Sequence, residues 1–508
     1  MQDTLQQIAI YDWVKNPNPA KKNLIVKARA GSGKSSSACK AMQYITGSGL
    51  MLAFNAMAAN ELKTKLMNMA LPNVTASTFH AAGKGMLYKA FGYHKVNASK
   101  VYFITENYCQ SETLTYARNF IAKLVGFAKQ NAFGVKGETL ISDTQAWMDI
   151  IAHHDITLEA DVDFLTVIEI AKDVLIESNK DLKCIDFDDM LYLPLIYDVK
   201  CDQYDWLVVD EAQDTNLCRK ILARKLLKIS GRGIFIGDDF QAIYQFCGAE
   251  SNSLDLIAEM FDCEELPLSV SFRCGKKIIE SAQFYCPDIQ AFDSNSEGSI
   301  TYTKYQEFVD NALNIKLDRS VGILCRNNAP NVALAFALIK QGIGCRIEGR
   351  DIGNDLKKLV KKWKRVTDLD QFTIKLTEFF TKEFEKANYA KMQLLEDKLD
   401  VMIVLIERVQ SLGKNDMYSL EKLITDMFTD STDDNVPNVV TLSSIHKAKG
   451  LEWDTCYMLD MQQFIPSRYA KQQWELDSEN CLAYVGITRA RHELIHLTDA
   501  PKRRNKED

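Results

Sequence analysis

Leu24-Ile25-Val26-Lys27-Ala28-Arg29-Ala30-Gly31-Ser32-Gly33-Lys34-Ser35 is the stretch from which the rest of the chain is read. Leu24 to Ala30 is an apolar run of strand length, and a glycine-rich turn follows it. Beyond Lys34 the segment Ser-Ser-Ser-Ala-Cys-Lys-Ala-Met-Gln-Tyr-Ile has the look of a helix. A strand that ends in such a loop and runs into a helix predicts a phosphate cradle. Gly31 and Gly33 allow backbone N–H groups to turn toward phosphate oxygens with no Cβ in the way. The helix start adds the positive end of its dipole. Lys34 is then expected at the outer phosphates, with Ser35 holding Mg2+. The predicted cradle comprises Ala28, Arg29, Ala30, Gly31, Ser32, Gly33, Lys34, Ser35 and Ser36. Ala28 stands where the pattern usually begins with glycine, a change that a strand end tolerates.

Such a loop needs a carboxylate on a neighbouring strand. Trp206-Leu207-Val208-Val209 is a buried-strand run, and it ends in Asp210-Glu211. Asp210 is expected to organise Mg2+ through water. Glu211 is expected to orient and deprotonate an attacking water. Far more chain separates Lys34 from Asp210 than a nucleotide-binding core requires, so an inserted subdomain is predicted between them. These features together imply an NTPase.

Composition sets the outer limits. At roughly 150 residues per domain, 508 residues predict about three or four domains. Charged residues make up 25% and hydrophobic residues 46%, ordinary values for a globular chain with several cores. Collagen, wholesale disorder and a disulfide miniprotein are excluded. No stretch approaches the ~20 apolar residues of a membrane helix, and Met1 to Asn16 lacks a secretory pattern. A cytoplasmic protein is expected. The net charge of −7 provides no long-range positive field, so nucleic-acid binding would need a local groove. Thirteen cysteines are scattered without a CxxC half-site, which predicts free thiols and no structural metal.

Two regions alternate apolar strand-length runs with helical patterns, as parallel sheets covered on both faces do. One runs from Leu24 through Gly-Ile-Phe-Ile-Gly-Asp-Asp at 233–239. The other holds Ser-Val-Gly-Ile-Leu-Cys around 321, Asn-Val-Val-Thr-Leu at 438–442 and His-Glu-Leu-Ile-His-Leu at 492–497. Mainly helical segments interrupt both, over roughly 89–183 and 351–435.

Further motifs narrow this reading. Asp-Glu-Ala-Gln-Asp (210–214), Gly-Asp-Asp-Phe-Gln-Ala-Ile-Tyr (237–244) and Ser-Phe-Arg (271–273) come first. Ile-His-Lys-Ala-Lys-Gly-Leu-Glu (445–452) and Tyr-Val-Gly-Ile-Thr-Arg-Ala-Arg (484–491) follow. In this order they resemble the superfamily 1A helicases of the UvrD/Rep/PcrA type. The resemblance extends from Gln6 to Arg491. It implies an α/β fold with two RecA-like parallel-sheet motor domains and mainly helical insertions, 1B and a reduced 2B. It places domain 1A at 1–88 and 185–275, 1B at 89–184, domain 2A at 276–350 and 436–508, and the 2B-like insertion at 351–435.

The resemblance also implies roles. Gln6, with Gln7 as the off-by-one alternative, would read the adenine edge, whose donor–acceptor pair a glutamine amide matches. Phe272 would stack on the base. Gln241 would sense the γ-phosphate, and Arg273 and Arg489 would act as arginine fingers. Glu452, in the segment that begins at Gly450, would contact the ribose. Phe54, Asn55, Thr78, Phe79, His80, Tyr244, Phe246 and His446 would meet single-stranded DNA through stacking and phosphate contacts. Cys247 and Met57 replace an Arg and a Lys of the family pattern, which weakens the expected grip there. ATP and Mg2+ are the implied cofactors, and single-stranded DNA and its junctions with duplex are the implied partner. The implied function is an ATP-dependent DNA helicase moving 3′ to 5′. The alternatives are a translocase that unwinds poorly alone and a non-catalytic DNA sensor. The basic run Lys357 to Arg365 reads equally as a phosphate contact or a solvated helix face.

Overall fold

The computed structural model describes residues 3–16, 20–154, 156, 158, 162–243, 253–341, 343–348, 350–363, 365–385, 389–429, 440–467 and 470–501. The chain forms two compact units, residues 1–269 and 270–508.

The first unit is built on a six-stranded parallel sheet. Its strands are β1 (Asn23–Ala28), β2 (Gly49–Ala53), β3 (Val74–Thr78), β4 (Tyr204–Asp210), β5 (Leu227–Gly237) and β6 (Cys263–Leu268). They lie in the order β3-β2-β4-β5-β1-β6. Strand alternation sorts the side chains to two faces. Leu24, Val26, Met51, Val208, Ile234 and Ile236 pack on one side with the helices Leu5–Lys15 and Ala56–Asn68. Ile25, Leu50, Leu52, Leu207, Val209 and Phe235 face the other way. That second face merges into a helical region holding Lys100–Tyr108, Glu112–Gln130, Thr144–His153 and Phe164–Lys180. The chain between Lys34 and Asp210 thus carries a largely helical region that shares a core with the sheet. Close packing there has a specific requirement at Gly83. A Cβ on this helix residue would stand 1.9 Å from the carbonyl oxygen of Met190, so only glycine lets the two backbones meet.

A buried ionic knot ties the insertion to the segment that follows it. Lys129 Nζ lies 2.7 Å from both Asp186 and Asp189, and Lys100 Nζ lies 2.7 Å from Asp189. Lys100 also donates to the carbonyls of Ser178 and Asp181. Charges this deep persist only when each is paired and hydrogen-bonded. The knot sets the turn at 186–189, which includes Phe187.

The second unit carries a seven-stranded parallel sheet. Its strands are β7 (Ser299–Lys304), β8 (Val321–Cys325), β9 (Cys345–Glu348), β10 (Phe428–Thr429), β11 (Val440–Ser444), β12 (Trp453–Leu459) and β13 (Ala490–Thr498). The order is β7-β13-β12-β8-β11-β9-β10. The helices Arg350–Lys361, Leu369–Glu385, Tyr389–Ser411 and Met417–Met427 occupy the second region of helical patterning. Leu356, Phe372, Phe380, Leu405 and Leu420 from these helices join Ile323, Ile347, Leu442 and Tyr457 of the sheet in one continuous core. Among the described residues no helix is long and apolar enough to cross a membrane.

Candidate nucleotide and DNA site

The loop after β1 holds Gly31 at φ 73° and Gly33 at φ 79°, both in the left-handed region that glycine enters without strain. The helix Lys34–Ala41 starts at once behind them. Ser35 Oγ donates to Asp210 Oδ2 at 2.6 Å, and Lys34 Nζ sits 3.1 Å from Glu211. The loop and the end of β4 are thus brought together as the sequence predicts. Burial pushes the Lys34 ammonium down, but the carboxylates of Glu211, Asp238 and Asp210 more than offset this and raise its pKa. Burial, reinforced by Glu211, raises Asp210. The pocket therefore sets Lys34 among three acids, with Arg29 beside one of them, Asp238.

Glu211 has φ 54°, a left-handed conformation that is costly for a residue with a Cβ. Such strain persists where surrounding bonds over-determine it. Gln213 provides them, donating from Nε2 to Glu211 while its Oε1 accepts from the amide of Asp238 at 3.0 Å. Gly237 makes room, since a Cβ there would lie 2.6 Å from Gln213 Oε1. Gln241 Nε2 donates to Asp238 Oδ2 at 2.6 Å, so the predicted γ-phosphate sensor is tied to the same cluster. Sequence reading did not single out Gln213, although it lies between two acids in the 210–214 motif.

Two details bear on what the pocket holds. Ser32 Oγ is buried with no hydrogen-bond partner among the described residues, as a loop shaped around an anionic ligand would leave it. The donor pair Ser35 and Asp210 offers only oxygen atoms, which suits a hard cation such as Mg2+. The residues present fit a nucleoside triphosphate with its metal.

The flanking predicted contacts are engaged within the protein. Arg29 is buried, donates to the Ala28 carbonyl at 2.8 Å and stands 3.7 Å from Asp238. Ala30 is buried and Ser36 is exposed. Gln6 makes a two-way pair with Ser269, from Nε2 to Oγ at 3.0 Å and from the Ser269 amide to Oε1 at 2.8 Å. Gln7 completes a capping box with Thr4 and donates to Ser37 Oγ at 3.0 Å.

In the second unit Arg273 and Arg489 come together around Thr488. Arg273 Nη1 donates to the Thr488 carbonyl at 3.3 Å, and Arg489 Nη2 donates to Thr488 Oγ1 at 3.0 Å. Arg489 is 1% exposed and also donates to the carbonyls of Val485 and Leu451. Burial first, then the Arg273 charge, lower its pKa to about 10, so it remains cationic at neutral pH. Glu452, the expected ribose contact, instead pairs with Arg273 and with Arg491, whose Nε is 3.1 Å away. Phe272 packs on Phe292 with ring centroids 4.7 Å apart. Gly450, at φ 90°, starts the turn into Glu452.

The predicted DNA residues divide by environment. Phe54 is half-buried with the Arg219 guanidinium 5.1 Å over its ring. Asn55 and Thr78 are helix N-caps, accepting from Ala58 N at 2.8 Å and Ala81 N at 3.1 Å. Phe79 is 4% exposed within the core, so its ring has no free face for a base. His80 stands edge-on to Phe187 at 6.4 Å, and burial with the Arg219 charge lowers its pKa to about 4. Phe187 is 54% exposed. An aromatic among the acids Asp186, Asp188 and Asp189 is the signal that sequence reading passed over. His446 is pushed to about 3 by burial and by Arg326, which itself forks onto Glu479 at 2.8 and 3.1 Å. Tyr244, Phe246 and Cys247 lie outside the described residues. The basic run around Lys361 finds partners at home. Lys358 pairs with Asp355, Lys361 with Glu421, and Lys362 lies over the Phe379 ring. That favours a solvated helix face over a phosphate contact.

A glycine-rich phosphate loop on one parallel sheet and neighbouring arginines beside a second parallel sheet are features of a RecA-like build. Comparison with known proteins agrees. A family model described as the UvrD-like helicase C-terminal domain matches residues 89–498, and the chain belongs to the UvrD-like helicase family. The ATP-dependent DNA helicase PcrA of Bacillus subtilis is 22% identical over 459 residues, covering 66% of this chain and 61% of that protein. The ATP-dependent DNA helicase Rep of Escherichia coli is 20% identical over 432 residues, covering 62% and 64%. F-box DNA helicase 1 of Gallus gallus is 23% identical over 522 residues, covering 92% and 47%. The chain thus spans less than two thirds of the length of these relatives.

Proposed function

We propose that the chain is an ATP-driven motor that tracks along single-stranded DNA from 3′ to 5′ and separates duplex ahead of it. One observation carries this reading: Lys34 on Glu211 and Ser35 on Asp210, a phosphate grip already assembled beside a general base. The relatives' printed names, ATP-dependent DNA helicases, support the choice of ATP and DNA.

In this reading the loop amides and Lys34 bind the triphosphate, and Gln6 lies beside the base. Ser35 and Asp210 would hold Mg2+, which when bound would supply positive charge against the phosphate oxygens. Glu211, fixed by Gln213, takes a proton from water as its oxygen bonds to the γ-phosphorus and the bond to the β-phosphate oxygen breaks. Arg273 and Arg489 stabilise the charge that develops there. Phe54, His80 and Phe187 in the first unit and His446 in the second would each meet DNA, with both histidines neutral at physiological pH. The subdomain assignments 1–88, 89–184, 185–275, 276–350, 351–435 and 436–508 belong to the same proposal.

A second reading, a translocase that unwinds poorly alone, is favoured by one feature. The helices between 350 and 427 are absorbed into the core of the second sheet. Strand displacement on 3′-tailed and 5′-tailed duplexes, run beside ATP turnover with oligothymidylate, separates these. The motor reading expects release from the 3′-tailed duplex alone. DNA-stimulated turnover without release would establish the second reading, and no turnover at all would leave a DNA-binding sensor.

A further inference from the structure

A cavity of about 480 Å³ opens on the second unit, between the segment after the helix Lys276–Ala282, strand β7 and the ends of β12 and β13. Its walls are aromatic. Tyr302 is 68% exposed and stacks on His496 with centroids 5.0 Å apart and planes 17° from parallel. Phe284 is 83% exposed, with Tyr285 edge-on to it at 4.9 Å. Asp460 lines the cavity too, its carboxylate anchored by the Ala500 amide at 3.0 Å. Among the described residues no lysine or arginine lines the cavity.

Large exposed rings are costly to leave in water unless something covers them. Aromatic faces carry negative potential, and a carboxylate adds to it, so the wall attracts cations. Burial lowers the His496 pKa, which keeps a competing positive charge off the stack at neutral pH. A nucleobase would also stack here, but its phosphates would meet Asp460, and among the described residues the lining holds no cation to offset the repulsion. The balance favours a cation over a nucleic acid.

We propose that this cavity is a docking site for a cationic side chain, arginine or lysine, presented by a partner protein. The guanidinium or ammonium group lies against Tyr302 and Phe284 and faces Asp460, while its alkyl stem covers the apolar floor. The described lining lies wholly within the second unit, and the inference does not rest on the motor reading.

Saturation-transfer NMR on the full chain tests it with three probes: acetyl-Gly-Arg-Gly-amide, the same peptide with norleucine for arginine, and oligothymidylate. The arginine peptide is expected to bind weakly, in the millimolar range, and more tightly than the norleucine peptide. Phe284→Ala and Asp460→Asn should each lower its affinity about fivefold, as loss of one cation–π or one charge contact does. Both variants should keep the wild-type thermal melt, which verifies the fold. Equal binding of arginine and norleucine peptides would overturn the proposal. So would affinity unchanged in both variants, or oligothymidylate displacing the arginine peptide in a Phe284-dependent way.

Discussion

Lys34→Ala is expected to abolish DNA-stimulated ATP turnover, lowering it by about 10³-fold or more, as removal of a group aimed at developing charge does. The reason lies in the pocket's own charge balance. Lys34 is the cation that Glu211, Asp238 and Asp210 share, and their combined pull raises its pKa despite burial. Without it, Arg29 still faces Asp238, but Asp210 and Glu211 lose the cation between them and a polyanionic nucleotide must enter against both. Affinity for the triphosphate and the chemical step should therefore both suffer. Phosphate release with saturating oligothymidylate measures the effect, and a thermal melt confirms that the variant is folded. Unchanged turnover in a folded variant would refute the assignment of the phosphate site.

Arg489→Lys should behave differently. The substitution keeps a positive charge but removes the planar fork that now reaches Val485, Leu451 and Thr488. Lysine is the better probe than alanine because Arg489 is fully buried, and alanine would open a cavity as well as remove the charge. Turnover is expected to fall by about 10³-fold, the scale of an arginine finger. Binding of a fluorescent ATP analogue should persist, because Lys34 and the loop amides are intact. Loss of nucleotide binding in step with turnover would show that Arg489 supports the fold of its unit and does not act on the phosphates.

The contrast between these variants shows what local sequence carries. A strand, a glycine turn, Lys34 and a helix occupy one short segment, so their geometry follows from local backbone rules. Asp210-Glu211 at the end of an apolar run is equally local. Gln213, Arg219, Arg326 and Phe187 acquire their meaning only when distant segments fold against each other. Arg219 matters because it reaches Phe54, and Phe187 because it meets His80. Periodicity likewise reveals the helices after Arg350, but their packing into the sheet is nonlocal, with Phe372 and Leu405 sharing one buried cluster with Ile347 and Leu442. Asn55 and Thr78 show the opposite problem. Their identity fits a DNA contact, yet both also suit a helix N-cap, and that is the role the structure displays.

The claim on which the motor reading depends is that one bound nucleotide is served by both units. Photocrosslinking with an ATP analogue carrying an aryl azide on the γ-phosphate, followed by peptide mass spectrometry, tests it most directly. Adducts are expected on the loop around Lys34 and, in the same sample, on peptides containing Arg273 or Arg489, with an excess of ATP suppressing both. Adducts restricted to the first unit, in the presence of DNA and Mg2+, would contradict it.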